Sequence, residues 1–113
     1  MNTPVHVAIE EARIDPVALR DSLPTDLSCG GYASFEGIIR NHNHGRAVQH
    51  LEYEYYPELA HSELLAIGKE AVQAYGLQYL RTVHRVGRLE LGDVAVVIQA
   101  MAHHRNEAFA GCR

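Results

Sequence analysis

An α+β fold with a largely antiparallel sheet is predicted here, and three observations carry it. Period-two and helical apolar patterns follow one another as strand, helix, strand, strand, helix, strand, strand and the start of a helix. Several of these strands are neighbours in the chain with no helix between them, as hairpin partners are, which argues against a doubly wound parallel sheet. No glycine-rich phosphate motif opens any of the helices, so nucleotide-binding folds have no support.

Val5, Val7 and Ile9 alternate with His6, Ala8 and Glu10, the pattern of a strand with one face inward. Asp15-Pro16 supplies an N-cap and a proline in the first turn. A short helix then runs through Val17, Leu19 and Arg20 and stops before Leu23-Pro24. Gly30-Gly31 leads into a second strand, in which Ala33, Phe35, Gly37 and Ile39 alternate with Tyr32, Ser34, Glu36 and Ile38 as far as Arg40. Gly37 inside it predicts a bulge or a close backbone approach. After a polar loop, Leu51, Tyr53 and Tyr55 alternate with Glu52 and Glu54 in a returning strand, and so long a connection often carries function. Pro57 opens a helix whose Ala60, Leu64, Ile67, Gly68, Ala71, Val72 and Tyr75 form one apolar stripe for packing on a sheet, with Gly76 as its stop. Leu77 to Val86 predicts a strand, Leu89-Glu90-Leu91-Gly92-Asp93 a turn, and Val94 to Met101 a β-branched strand buried on both faces. Ala102-His103-His104-Arg105 lies at its end, and Asn106-Glu107-Ala108-Phe109 starts a helix. A helix that short rarely stabilises itself, so the sequence reads as stopping early.

The 113 residues suit one domain, 1–113, able to bury a core without staples. Ten basic against fourteen acidic residues argue against non-specific nucleic-acid binding, which needs a basic face. Two cysteines, Cys29 and Cys112, without CxxC spacing, argue against a disulfide scaffold or a cysteine-rich zinc site. Met1 to His6 lacks the charge and apolar core of a signal peptide, and no apolar run approaches the roughly 18 residues of a membrane helix. The expectation is a cytoplasmic protein with no membrane partner.

Residues 35–46 concentrate the candidate chemistry. Arg40 and Arg46 flank a loop carrying His42 and His44, and no acid interrupts the sequence between Glu36 and Glu52. On a net-negative chain, this local positive excess suggests a specific anion site. Arginine presents a planar fork of donors suited to phosphate or carboxylate; a solvated loop with weak ion pairs accounts for the spacing equally well. His103-His104-Arg105 makes a second cationic cluster, and the chemistry is expected where the two clusters meet. His104 could move a proton while Arg105 stabilises negative charge, or it could simply cap the following helix. A metal held by His42, His44, His103 and His104 is the weaker alternative, since no HExxH or Cys-His spacing accompanies them. Tyr53-Glu54-Tyr55-Tyr56 could stack a flat heterocycle, though strand packing or a subunit contact accounts for it first.

Four blocks then carry a family resemblance: Phe35-x-Gly37-x-x-Arg40-Asn41-His42-Asn43, Leu51-Glu52-Tyr53-Glu54-x-Tyr56-Pro57, Val83-His84-Arg85-x-Gly87-x-Leu89-x-x-Gly92-Asp93 and Ala102-His103-His104-Arg105-x-x-Ala108-Phe109. In this order and spacing the chain from Gly31 onwards resembles the catalytic, larger subunit of molybdopterin synthase. The resemblance implies an α/β hammerhead-type fold and a homodimer of large subunits, each binding a small ubiquitin-like sulfur carrier. The carrier's thiocarboxylated Gly-Gly tail would enter a pocket lined by Phe35. Two sulfurs would pass to cyclic pyranopterin monophosphate, giving the molybdopterin dithiolene. Substrate contacts carry over to Ile38, Ile39, Arg40, His104 and Arg105, with Arg40 and His104 as the catalytic candidates. No cofactor and no metal are expected.

The family also places two active-site lysines beyond this last helix. Neither occurs in these 113 residues, Lys69 cannot replace them by position, and Ile38 stands where some members have lysine. The C-terminal segment is therefore expected to be missing and this form to be poorly active. Two other classes compete: a non-catalytic module that binds a pterin phosphate or the carrier, and a histidine-based metal hydrolase.

Overall fold

The computed structural model describes residues 4–40, 42–43, 46–47, 50–53 and 57–112 and, between 42 and 57, the backbone alone. The first alternation forms β1 (Val5–Glu10). Asp15 caps α1 (Pro16–Asp21), its Oδ1 accepting from the Val17 and Ala18 amides at 3.0 and 3.2 Å. β2 (Gly31–Ile38) leads to two short strands, β3 (His42–Asn43) and β4 (Arg46–Ala47), which pair with each other. Then come β5 (His50–Tyr53), α2 (Pro57–Tyr75), β6 (Tyr79–Arg85), β7 (Gly87–Glu90), β8 (Val94–Ala102) and α3 (Arg105–Gly111).

The main sheet has the order β1-β6-β8-β2. β6–β8 and β8–β2 are antiparallel and β1–β6 is parallel, so the α+β, mostly antiparallel expectation holds, with one parallel edge. Alternation of side chains along β6 and β8 divides their buried residues between two layers. Leu80 and Ala100 point to one face, where Ala71 and Val72 of α2 and Ala108 of α3 pack; Val83 and Val97 point to the other, beside Ile14 and Leu19 of the α1 region. β8 is thus covered on both faces, as its apolar run predicts.

Three expectations need correction. The returning strand pairs with β7, Glu52 opposite Arg88, and not with β2. The segment around Leu89 is a strand and not wholly a turn, because Leu89 is 0% exposed in a small core with Ile39 and Ala95. The turn shrinks to the residues around Gly92, whose φ of 84° suits glycine. On α2 the stripe is narrower than predicted: Gly68 is buried, but Ile67 and Tyr75 are 62% and 43% exposed. Gly68 is the point of closest approach to β1, which leaves Ile67 off the contact line.

Among the described residues no helix is long and apolar enough to cross a membrane.

Candidate functional site

Arg40 stands at the far end of β2, past an irregularity in the sheet. Gly37 pairs with Val96 but Ile38 with Val94, so β8 carries one extra residue there and the strand end bends. The bulge expected at Gly37 is met, whereas the close approach there is by a side chain and not by backbone, since a Cβ at that position would lie 2.7 Å from Val96 Cγ1. Beyond the bulge, Ile39 turns into the core at 6% exposure while Ile38 and Arg40 face solvent. The Ile39 amide donates to the Asp93 carbonyl at 3.0 Å, and its carbonyl accepts from the Gly92 amide at 2.9 Å. Of the substrate contacts expected here, Ile39 therefore has its side chain and its amide committed to the fold, and its service is to hold its neighbours. Behind the turn, Arg85 Nη1 meets Asp93 Oδ2 at 2.9 Å. The Asp93 carboxyl is held below the usual carboxylate range, first by the Glu90 amide and also by Arg85.

His104 and Arg105 stand where β8 passes into α3. His104 occupies the N-cap position in extended backbone, but its side chain makes no capping hydrogen bond. The capping alternative for this histidine is thus not realised, and both His104 and Arg105 are exposed. Their backbone is fixed by the start of β2. The Gly30 amide donates to the His103 carbonyl at 3.1 Å. A Cβ on Gly31 would lie 2.7 Å from the His104 carbonyl and 2.8 Å from the Arg105 amide. A cavity of about 890 Å³ beside this end is lined in part by His6, Asp26, Cys29 and Met101. Its thiol is a poor nucleophile, since burial pushes Cys29 up.

The two clusters do not meet within one chain. Gly31 pairs with Ala102 at one end of the β2–β8 ladder and Ile38 with Val94 at the other. At ~3.3 Å per residue the ladder alone separates Arg40 from His104 and Arg105 by roughly 25 Å. The convergence expected from sequence is therefore corrected for the single chain: antiparallel pairing sends the residue after β2 and the residues after β8 to opposite ends. Phe35 lies midway, opposite Ile98 and 50% exposed. Ile98 also floors a groove of about 360 Å³ with Leu80 and Thr82, walled by Leu64, Ile67 and Ala110. The side chains of His42, His44 and Arg46 and the tyrosine run 53–56 lie outside the described residues, so neither the histidine metal alternative nor the stacking platform is placed. Sequence reasoning missed the roles of Gly31, Arg85 and Asp93. Arg85, Gly92 and Asp93 do stand in the third motif block, but spacing alone does not show which strand they brace.

The family model described as MoaE protein matches residues 9–113. The chain belongs to the MoaE protein family. It is 41% identical over 88 residues to a molybdopterin synthase catalytic subunit from Oryza sativa subsp. indica, covering 78% of this chain and 46% of the rice protein. The chain thus spans about half the length of that curated relative. The structure of molybdopterin cofactor biosynthesis protein E from Burkholderia multivorans ATCC 17616 superposes with a TM-score of 0.85 at 30% identity, across 97% of this chain and 72% of that one. A Helicobacter pylori 26695 structure, described as a protein–protein complex of subunits 1 and 2 of molybdopterin-converting factor, shares the MoaE fold with a TM-score of 0.69 at 17% identity, across 96% and 72% of the two chains.

Proposed function

We propose that this protein acts in molybdenum cofactor biosynthesis as the catalytic subunit of a molybdopterin synthase. It would transfer sulfur from the thiocarboxylated C-terminus of a small ubiquitin-like carrier to cyclic pyranopterin monophosphate. What most supports this is the conjunction of MoaE membership over residues 9–113 with the exposed side chains of Arg40, His104 and Arg105 on backbone held from neighbouring strands. Exposed guanidinium groups on fixed backbone suit an anionic substrate, because little order remains to be imposed when the phosphate arrives. His104, free of a capping role, is available to the anion or to a proton in transfer. The apolar groove floored by Ile98, the cross-strand partner of Phe35, suits the thin, side-chain-free Gly-Gly tail of the carrier, although Phe35 itself does not line it. The two-subunit description of the Helicobacter pylori relative supports a partner of that kind.

One chain cannot close both arginines on one phosphate across the length of the β2–β8 ladder. A homodimer with a two-fold axis would resolve this: two copies set side by side and antiparallel bring the Arg40 end of each to the His104–Arg105 end of the other, giving two equivalent sites.

The test is a sulfur-transfer assay with the full protein, thiocarboxylated carrier and cyclic pyranopterin monophosphate. The dithiolene product is expected. Tight binding of both reactants without product would instead identify a non-catalytic binding module.

A further inference from the structure

The residue before Arg40 is gripped by the turn between β7 and β8 on both of its backbone polar groups, by the Asp93 carbonyl and the Gly92 amide. That turn is closed by the Asp93 amide, which donates to the Glu90 carbonyl at 3.1 Å. It is locked by the Asp93 carboxylate, whose Oδ2 accepts from the Glu90 amide and from Arg85 Nη1, both at 2.9 Å. Arg85 ends β6, and its Nε donates to the Glu11 carbonyl just past β1 at 3.3 Å. One carboxylate thus ties the β1–β6 edge to the turn, and the turn to Ile39. The Arg85 and Asp93 side chains are 15% and 21% exposed, sheltered enough for a charge-assisted bond to hold its geometry, unlike the open Arg88–Glu90 pair at 61% and 59%. A guanidinium that must meet a phosphate with two donors tolerates little error in where its backbone starts.

We propose that Asp93 is a positioning residue for Arg40: acting through the turn and Ile39, it sets where the guanidinium is presented to the substrate's phosphate without touching the substrate itself. This rests on the sulfur-transfer reading, in which Arg40 grips that phosphate.

Asp93→Asn keeps the shape and an oxygen for the Glu90 amide but removes the charge that holds Arg85. Arg85→Gln removes the same pair from the other side. In the full protein with its carrier, each is expected to raise the KM for cyclic pyranopterin monophosphate about 10- to 100-fold with kcat little changed. In binding of cyclic pyranopterin monophosphate, read as a Kd, the combination Arg40→Ala with Asp93→Asn is expected to match Arg40→Ala alone, because a residue that acts only through Arg40 has nothing left to act on. Losses that multiply in the double variant, or an Asp93→Asn protein with wild-type KM, overturn the proposal. So does insolubility of both Asp93→Asn and Arg85→Gln, since the pair would then serve the fold alone. The wild type run alongside keeps the two ideas apart. A wild type that makes no product sinks the sulfur-transfer reading and this inference with it, whereas a turning-over wild type with an unmoved Asp93→Asn KM sinks the inference only.

Discussion

Gly31 shows how a residue without a side chain can fix the backbone under a candidate site made of long ones. The backbone of His104 and Arg105 runs so close to it that any Cβ would overlap main-chain atoms at 2.7–2.8 Å. Main chain cannot swing aside as a flexible side chain can, so Gly31→Ala must push the β8–α3 junction outward. The expected result is a KM for the phosphorylated substrate raised about tenfold or more, since an ångström of misplacement at a charged contact costs this much. Steady-state kinetics of a variant with wild-type helicity would show it; an unchanged KM would mean that the junction relaxes without moving Arg105. Ile39 makes the complementary point at the other end. Its side chain is 6% exposed and its amide and carbonyl are both bonded to the turn, so what it offers the neighbouring Arg40 is a fixed backbone.

Among the elements, α2 is where propensity and packing oppose each other. Gly68 is a poor helix residue, and replacing it with alanine in an open helix would gain about 1 kcal/mol. Here the new methyl would sit 2.6 Å from Val5 Cγ1 on β1 and 3.6 Å from Leu80 Cδ2. Valine is short and branched and has nowhere to retreat, and overpacking of this kind costs about 1–3 kcal/mol. Packing should win. Gly68→Ala is expected to lower stability by up to about 2 kcal/mol, read from the urea midpoint at unchanged m-value. A stabilised variant would show that α2 can lift from β1 at little cost. The same close approach explains why the apolar stripe of α2 was legible as helical but its buried width was not: periodicity gives the face, and the smallest residue on it decides where the neighbour touches.

At the scale of the molecule, the antiparallel β2–β8 pairing has the largest consequence, because it places the candidate substrate groups at opposite ends of one ladder. If each site draws Arg40 from one copy and His104–Arg105 from the other, two inactive variants should rescue each other. Arg40→Ala and Arg105→Ala proteins, co-expressed, would form mixed dimers in half of the population, each with one intact site out of two. About a quarter of wild-type turnover is then expected from the mixture, against almost none from either variant alone. No recovery from soluble, mixed dimers would mean that Arg40 and Arg105 do not share a site and would end the antiparallel dimer arrangement.

The longer strands, the long helix, the Asp15 cap, the irregularity at Gly37 and the family were legible in the residues, and the short strands β3, β4 and β7 were not, because alternation, capping chemistry and motif spacing are local properties that two- to four-residue strands scarcely express. Whether the returning strand joined β2 or β7 was not, since strand pairing joins residues far apart in the chain, here Leu51 and Leu89, and leaves no local signal. Nor was the separation of Arg40 from His104 and Arg105. Two cationic segments look alike in sequence whether they adjoin or lie a full strand length apart, and only the direction in which β2 runs beside β8 decides between them.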